Sequence, residues 1–404
     1  MLSISAKDRL QTTRNMMDTP PLPSLPLVSF IIVARNASCH LPGILSDLMA
    51  QDYPKERMEV LLVDGCSQDN SRKIMQEFAA AHLGLRVKVL DNPGKILASG
   101  WNVALAEAQG DIILRVDAHS KIPVDFITKS ALSILDGKDI AGGVRISQRA
   151  GEGVWKSLLE IAERSKFGSG VADFRNPGPR CYVDTLAHAA YRREVFETVG
   201  GYDERLVRNQ DMEIHRRMKM AGYRLFFNPE IISYHKLRSS LKDILWKNWN
   251  DGKWIGLALG ISPRCFSLRH FIPALFTGAL SISCILGILG ILGAFSILGM
   301  GSIGILGIGS RASISAAWLP FFFLIAVYGL AAFAFTLSAI VKAPLRIKPL
   351  CALLPVIFLL LHLSYGFGTW FGLAKMPLFM RENGEYQLPW PLMSTSKRGV
   401  IAPR

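Results

Sequence analysis

Three stretches without a charged residue, 271–309, 316–341 and 350–374, constrain this chain more than any other feature. A helix that crosses a bilayer needs roughly 20 apolar residues, and uncharged runs of this length do not suit the buried helices of a soluble protein. The second and third stretches fit one span each. The first fits one tilted span or two short ones: Ile-Leu-Gly repeats from Ile285, and Gly299-Met300-Gly301-Ser302 offers a turn. Lys342, Arg346 and Lys348 form the densest basic loop, which the positive-inside bias assigns to the cytoplasm. The expectation is three or four spans, with four favoured by the basic tail, which carries Lys375, Arg381, Lys397, Arg398 and Arg404.

Upstream of residue 270 the pattern changes to alternating strands and helices. Segment 27–33 is a strand, followed by Arg35 and Asn36. Leu41, Ile44, Leu45, Leu48 and Met49 then share one helical face. Segment 58–63 is a second strand, closed by Asp64-Gly65, and polar residues from Ser67 to Ser71 offer caps for a helix to Ala81. Segment 86–90 is a third strand, followed by Asp91-Asn92-Pro93-Gly94-Lys95. A helix over 97–108 leads to a fourth strand, 112–116, which ends on Asp117-Ala118-His119. This alternation predicts an α/β fold with a doubly wound, mostly parallel sheet. Ligands bind outside the carboxyl ends of such strands, where Arg35, Asn36, Asp64, Asp117 and His119 gather. The alternative role for Asp117 is that of a cap. No GxGxxG follows the first strand and no GxxxxGK[ST] occurs, which argues against a dinucleotide-binding domain and a P-loop ATPase.

Downstream, 140–146 is apolar around Gly142-Gly143, and 151–170 is mixed and glycine-rich. A polar loop spans 173–180, and 182–191 is expected as a strand. After Gly200-Gly201-Tyr202-Asp203-Glu204, Asn209-Gln210-Asp211 opens a helix to Ala221, with Gly222 as its C′ residue. Short strands are expected over 223–228 and 231–234, the second ending on His235. Segment 241–255 mixes Trp246, Trp249 and Trp254 with Lys242, Lys247 and Lys253. It reads either as a membrane-interface helix or as a tryptophan face packed on the preceding domain.

Charge and cysteines bound the compartment. A formal net charge of +14, with no nucleic-acid-binding motif, points to an anionic membrane surface and phosphate-bearing substrates rather than nucleic acid. None of the six cysteines, Cys39, Cys66, Cys181, Cys265, Cys284 and Cys351, forms a CxxC pair. Free thiols in a reducing cytosol are expected. The resulting division is a proline-rich flexible leader (1–26) with no signal-peptide core, an α/β domain (27–240), an interfacial segment (241–269), a membrane region (270–375) and a tail (376–404).

Several stretches together resemble family 2 glycosyltransferases, the inverting enzymes with a GT-A fold. They are Val28-Ser29-Phe30-Ile31-Ile32-Val33, Glu59 through Gly65, Arg115-Val116-Asp117-Ala118-His119, Tyr191 through Phe196, Gly200 through Glu204, and Gln210-Asp211. The Asp-Ala-His form and the Asn92-Pro93 loop are similar to the branch that builds succinoglycan-type exopolysaccharide, which implies a glucosyltransferase. The resemblance covers residues 27 to about 255. It implies that Asp64 recognises the uracil or ribose of a UDP-sugar and that Asp117 holds the nucleotide-sugar, joined by Arg35, Asn36 and Lys95. A Mg²⁺ or Mn²⁺ would be held by Asp117 and His119, which stands where the family usually has a second aspartate, with His235 as a further ligand. An imidazole there suits Mn²⁺ better than Mg²⁺.

The resemblance further implies that Asp211 is the base that deprotonates the acceptor hydroxyl, where the usual pattern is Glu-Asp and this chain has Gln210-Asp211. Its alternative role is to cap the following helix. The Gln-x-x-Arg-Trp motif of processive synthases is absent, which favours addition of a single sugar. Lys247 and Trp249 lie in a comparable region, and with Gln210 they are candidates for the acceptor side or the diphosphate. The implied acceptor is a polyprenyl-diphosphate-linked saccharide, with the enzyme in the inner (plasma) membrane, multi-pass, and its catalytic domain cytoplasmic. Two alternatives stand beside this one: a polyprenyl-phosphate sugar synthase, and an inactive nucleotide-sugar-binding scaffold of a polysaccharide export complex.

Overall fold

The structure, a computed structural model, describes residues 25–148, 153–168, 178–236, 240–299 and 311–384. The leader up to residue 24, most of the tail, the Met300-Gly301-Ser302 part of the expected turn and part of the 173–180 loop lie outside the described residues.

The first half follows the expected alternation: β1 (Val28–Ala34), α1 (Leu41–Met49), β2 (Met58–Asp64), α2 (Ser71–Ala81), β3 (Arg86–Asp91), α3 (Leu97–Glu107) and β4 (Ile112–Arg115). These four strands pair in parallel in the order β3-β2-β1-β4. Period-two alternation splits each central strand between two cores. Val28, Phe30 and Ile32 of β1 pack with Leu41, Ile44 and Leu48 of α1, while Ile31 and Val33 pack with Ala98, Trp101 and Leu105 of α3. Full burial of each such side chain stabilises by about 1.5–3 kcal/mol. Both faces being covered explains why these strands read as continuous apolar runs.

The second half completes a nine-stranded sheet. It adds β5 (Ser120–Lys121), α4 (Phe126–Leu135), β6 (Ile140–Gln148), α5 (Val154–Arg164), β7 (Cys181–Val183), β8 (Ala189–Arg192), α6 (Arg193–Val199), α7 (Gln210–Met220) and β9 (Leu225–Lys236). β8 inserts antiparallel between β4 and β6, and β9 pairs parallel with β6. Three expectations are corrected here. The strand over 182–191 is two strands, because β7 pairs with β9 while β8 pairs with β4 and β6. The short strands over 223–228 and 231–234 are one strand, β9, whose register against β6 shifts between Gly142 and Val144. A Cβ on Gly143 would lie 2.0 Å from the Ile231 carbonyl oxygen, so the bulge around Pro229 needs glycine opposite it. The glycine-rich segment 151–170 contains the helix α5, whose Leu158 and Leu159 are buried. Gly222 does adopt φ +94° beyond α7, as expected of a C′ residue.

The remaining elements are α8 (Leu241–Ala258), α9 (Ile272–Gly299), α10 (Arg311–Lys342) and α11 (Leu354–Asn383). Among the described residues three helical stretches are long and apolar enough to cross a membrane: Ile272–Ile291, Ala316–Lys342 and Lys348–Asn383.

Candidate active site

The parallel register brings the strand ends level. Ala34 of β1 pairs with Asp64 of β2, Asp64 with Asp91 of β3, and Ile31 with Arg115 of β4. Asp64, Asp91 and the turn after Arg115 therefore line one edge.

At β2, Asp64 is 2% exposed, and both carboxylate oxygens accept from the Ser67 backbone N–H at 3.3 and 3.2 Å. Arg72, which the sequence did not single out, lies 3.7 Å from Asp64 and also pairs with Asp91. Hydrogen bonding to Arg72 holds the Asp91 carboxyl below its usual range. Asn36 adopts φ +51°. Its backbone N–H donates to Ser67 Oγ at 2.9 Å, and its Oδ1 accepts from the Gln68 N–H at 2.8 Å. It thus ties the loop after β1 to the loop after β2. Arg35 beside it is exposed, and so is Lys95, at φ +61°. Buried Asn92 shapes the Lys95 loop by donating to the Ile96 carbonyl at 2.8 Å and accepting from Ser99 Oγ at 2.7 Å.

After β4, Asp117 Oδ2 lies 3.3 Å from Nε2 of His188. The same nitrogen lies 3.2 Å from Ser120 Oγ, and His188 Nδ1 lies 2.9 Å from Ser233 Oγ. Burial pushes the His188 imidazole below its usual range, although Asp117 pulls the other way. A neutral ring protonated at Nε2 donates to the carboxylate and accepts from Ser233. Burial alone would raise the Asp117 carboxyl, but the His188 hydrogen bond, helped by the nearby Arg145, outweighs it and holds it well below the usual range. Sequence reasoning missed His188. Only the antiparallel insertion of β8 carries it to Asp117.

His119 is exposed, and its ring centroid lies 6.3 Å from that of His235 and 6.3 Å from that of His40. The β5–β9 pairing, which sets Ser120 opposite His235, causes the first approach. One carboxylate with two imidazoles fits a divalent ion chemically, the oxygen for a hard cation and the nitrogens for a borderline one. As they stand, no group of three His, Cys, Asp or Glu among the described residues has the spacing to hold one.

On the other side of β4, Asp211 occupies the first turn of α7 and pairs through Oδ1 with Arg115 Nη1. The Arg115 side chain is 5% exposed, against 36% for Asp211. Its guanidinium sits in an aromatic box, 5.5 Å from the Trp101 ring, 5.8 Å from Tyr191 and 5.5 Å from Tyr202. Burial disfavours its charge, but Asp211 more than compensates, and the group stays protonated throughout the accessible pH range. The neighbouring Gln210 is 7% exposed, and its Oε1 has no hydrogen-bond partner among the described residues. Asn102 fixes the preceding loop, its Oδ1 accepting from the Tyr202 N–H at 2.7 Å and its Nδ2 donating to the Tyr202 carbonyl at 2.9 Å. Arg217 donates to the Val199 and Gly201 carbonyls, both at 2.6 Å.

Lys247 and Trp249 lie apart from these carboxylates, on α8. Lys247 Nζ is 3.0 Å from Asp251 Oδ2, while Arg208, three residues ahead of Asp211, reaches Asp251 Oδ1 at 2.6 Å. Trp249 packs instead on Phe371 of α11, with centroids 5.8 Å apart.

Residues 29–200 match the family model described as glycosyl transferase family 2. The chain is 30% identical over 226 residues to the succinoglycan biosynthesis protein ExoA of Rhizobium meliloti (strain 1021), which covers 55% of this chain and 67% of that protein. It is 24% identical over 237 residues to a dolichyl N-acetyl-alpha-D-glucosaminyl phosphate 3-beta-D-2,3-diacetamido-2,3-dideoxy-beta-D-glucuronosyltransferase of Methanococcus voltae, covering 57% of this chain and 74% of that one. The mannosyltransferase PcManGT from Pyrobaculum calidifontis, solved in complex with GDP-Man and Mn²⁺, is similar in fold, with a TM-score of 0.50 and 16% identity over 89% of this chain and 94% of its own.

Proposed function

This chain belongs to glycosyl transferase family 2, and on that premise we propose that it moves a hexose from a UDP-sugar to a lipid-linked saccharide at the membrane, with inversion. The ExoA relative, named for succinoglycan biosynthesis, supports exopolysaccharide as the pathway. The Methanococcus relative, whose name describes transfer to a dolichyl-phosphate-linked sugar, supports a lipid-linked acceptor.

The observation that carries the reading is the contact of Asp211 with the Arg115 guanidinium beside strand ends that present Asp64 and Asp117. An acceptor hydroxyl oxygen attacks the anomeric carbon as its proton passes to the Asp211 carboxylate. The bond from that carbon to the diphosphate oxygen breaks, and UDP leaves with the electron pair. Attack opposite the leaving group inverts the centre. General-base assistance of this kind contributes about 10²–10⁴-fold. Asp64 holds the nucleoside, with Arg72 beside it, and the exposed Arg35 and Lys95 supply positive charge for the phosphates. Asp117, His119 and His235 would hold Mg²⁺ or Mn²⁺, which offsets charge on the departing diphosphate. The PcManGT complex supports a divalent metal in this fold.

Membrane delivery of the acceptor fits the connection through Asp251, which joins the loop ahead of Asp211 to α8. We place the catalytic domain in the cytoplasm, where nucleotide-sugars are made. The test is a donor screen: membranes containing the protein, incubated with a panel of labelled UDP-sugars and native lipid extract, give a labelled, lengthened lipid-linked saccharide. A full panel without lipid-linked product contradicts the reading.

A further inference from the structure

We infer that α11, the last apolar helix among the described residues, lies in the plane of the membrane against the catalytic domain, so that of the described helices only α9 and α10 cross. The inference rests on the membrane association proposed above, not on sugar transfer.

α11 and α8 run side by side in parallel. Ser364 Oγ donates to the Leu245 carbonyl at 2.7 Å. A Cβ on Gly368 would fall 2.3 Å from the Trp249 carbonyl oxygen, and one on Gly372 would fall 2.1 Å from that of Lys253. A Cβ on Gly260 would meet Met380 at 2.7 Å. Contact thus continues from 364 to 380, roughly 24 Å at helical rise. Phe167, in the catalytic domain, extends it toward the N-terminus by packing on Phe358 and His362, with centroids 5.3 and 4.9 Å away.

α8 itself belongs to the catalytic domain. Its Ile244 shares a core with Leu158 and Leu159 of α5, and its Ile255 and Ala258 share one with Leu206. It also carries Lys242, Asp243, Lys247, Asp251 and Lys253. If α11 crossed the bilayer, the middle of its apolar run would mark the midplane. The backbone of Leu245 through Lys253 would sit at that depth, with its charges and the domain behind it, and charges are costly there.

Both ends of α11 also return to the domain. Ala343, Ile347 and Cys351, just ahead of it, pack with Leu158 and Leu159. At its far end the Gly384 carbonyl accepts from Arg205 Nη1 at 3.2 Å. A helix spanning the bilayer can hold such a domain at one end only. α9 and α10 differ in that α10 meets the domain within its C-terminal half, where Phe167 packs on Tyr328 and Phe335 with centroids 5.5 and 5.0 Å away and Ala332 joins the Leu158 and Leu159 core. They form an antiparallel hairpin, with Phe276 stacked on Tyr328 at 4.7 Å and a Cβ on Gly287 only 2.5 Å from the Trp318 ring.

The exposed side of α11 carries an apolar stripe, Val356, Leu360, Phe367, Phe371 and Leu378, spaced at four and seven residues, with Trp370 and Lys375 also exposed beside it. Its occupant is the hydrocarbon edge of the bilayer, continuous with the lipid-facing Leu275, Ile282 and Leu289 of α9. Two crossings return the basic tail to the catalytic side, in keeping with the positive-inside bias.

The test uses the full chain in lipid nanodiscs, with its native cysteines replaced and nitroxides attached to Val356→Cys, Phe367→Cys and Leu378→Cys in turn. All three sites are exposed and outside the active site. Accessibility to oxygen against a water-soluble nickel complex should give one common, shallow lipid depth. A depth that is greatest at 367, with 356 and 378 near opposite headgroups, overturns the inference, as does full water exposure at all three. Independently, an impermeant maleimide should label Glu382→Cys only from the side that labels the catalytic-domain Cys39, Cys66 and Cys181 of the wild type. Labelling from the opposite side overturns it. Neither readout depends on transfer, so a failed donor screen leaves this test standing.

Discussion

Arg115 has one carboxylate partner among the described residues, Asp211, and the rings around it cannot neutralise its charge. Removing it leaves Asp211, the proposed base, without the group that orients one of its oxygens. Arg115→Met should lower kcat on the order of 10–10²-fold, below the range for losing the base itself, while donor KM holds. Arg115→Lys should recover part of the loss in steady-state assays. A similar argument applies to His188, whose Nε2 steers Asp117. Outer groups that orient a metal ligand are worth about 10–100-fold in metal affinity, so His188→Ala should weaken Mn²⁺ binding by that factor in a metal titration, and His188→Gln should restore part of it. Asp64 and Asp117 stand out in the sequence because they follow apolar runs, and Asp211 because it follows Gly200-Gly201-Tyr202-Asp203-Glu204, so these proposed site residues could be singled out before the fold was known. Arg115, His188 and His40 could not. Arg115 reads as one interruption in a strand, and its partner is 96 residues away. His188 depends on an antiparallel pairing that no local pattern announces, and His40 on the folding of the β1–α1 loop.

At the level of elements, β1 through β4 were readable because burial on both faces leaves an unbroken apolar signature. The second half was harder because its strands are short and change direction. β8 is four residues long and enters antiparallel among parallel neighbours, so its pairing is decided by distant strands. α5 was hidden by the glycines flanking it, although Leu158, Leu159 and Ala162 share one buried face. The β6–β9 bulge gives a direct test. Gly143→Ala forces a methyl group into the Ile231 and Asn228 carbonyls. Overpacking typically costs about 1–3 kcal/mol, so thermal unfolding of the detergent-solubilised protein should shift down by several degrees. A comparable steric argument holds where α8 meets α11. A Cβ on Gly256 would lie 2.5 Å from the Thr369 carbonyl oxygen. Gly256→Leu should separate the helices and, through the Arg208–Asp251 contact, lower transfer to a membrane acceptor more than it lowers donor binding.

Across the whole molecule, the edge that presents Asp64 and Asp117, the proposed nucleotide-sugar site, opens on one side of the sheet, and α8 and α11 join the domain to the apolar hairpin. Hydropathy alone made three apolar stretches legible as spans, since length and composition do not report what a helix lies against. If a divalent ion serves the diphosphate, chelation by EDTA should abolish transfer, and added Mn²⁺ or Mg²⁺ should restore it. The account turns on Asp211 as the group that takes the acceptor proton. The most direct measurement compares wild type and Asp211→Asn for two quantities on the same membranes, UDP-sugar binding and the rate of label transfer to lipid. Binding should be retained while transfer falls by about 10²-fold or more. Transfer at the wild-type rate in Asp211→Asn would contradict the account.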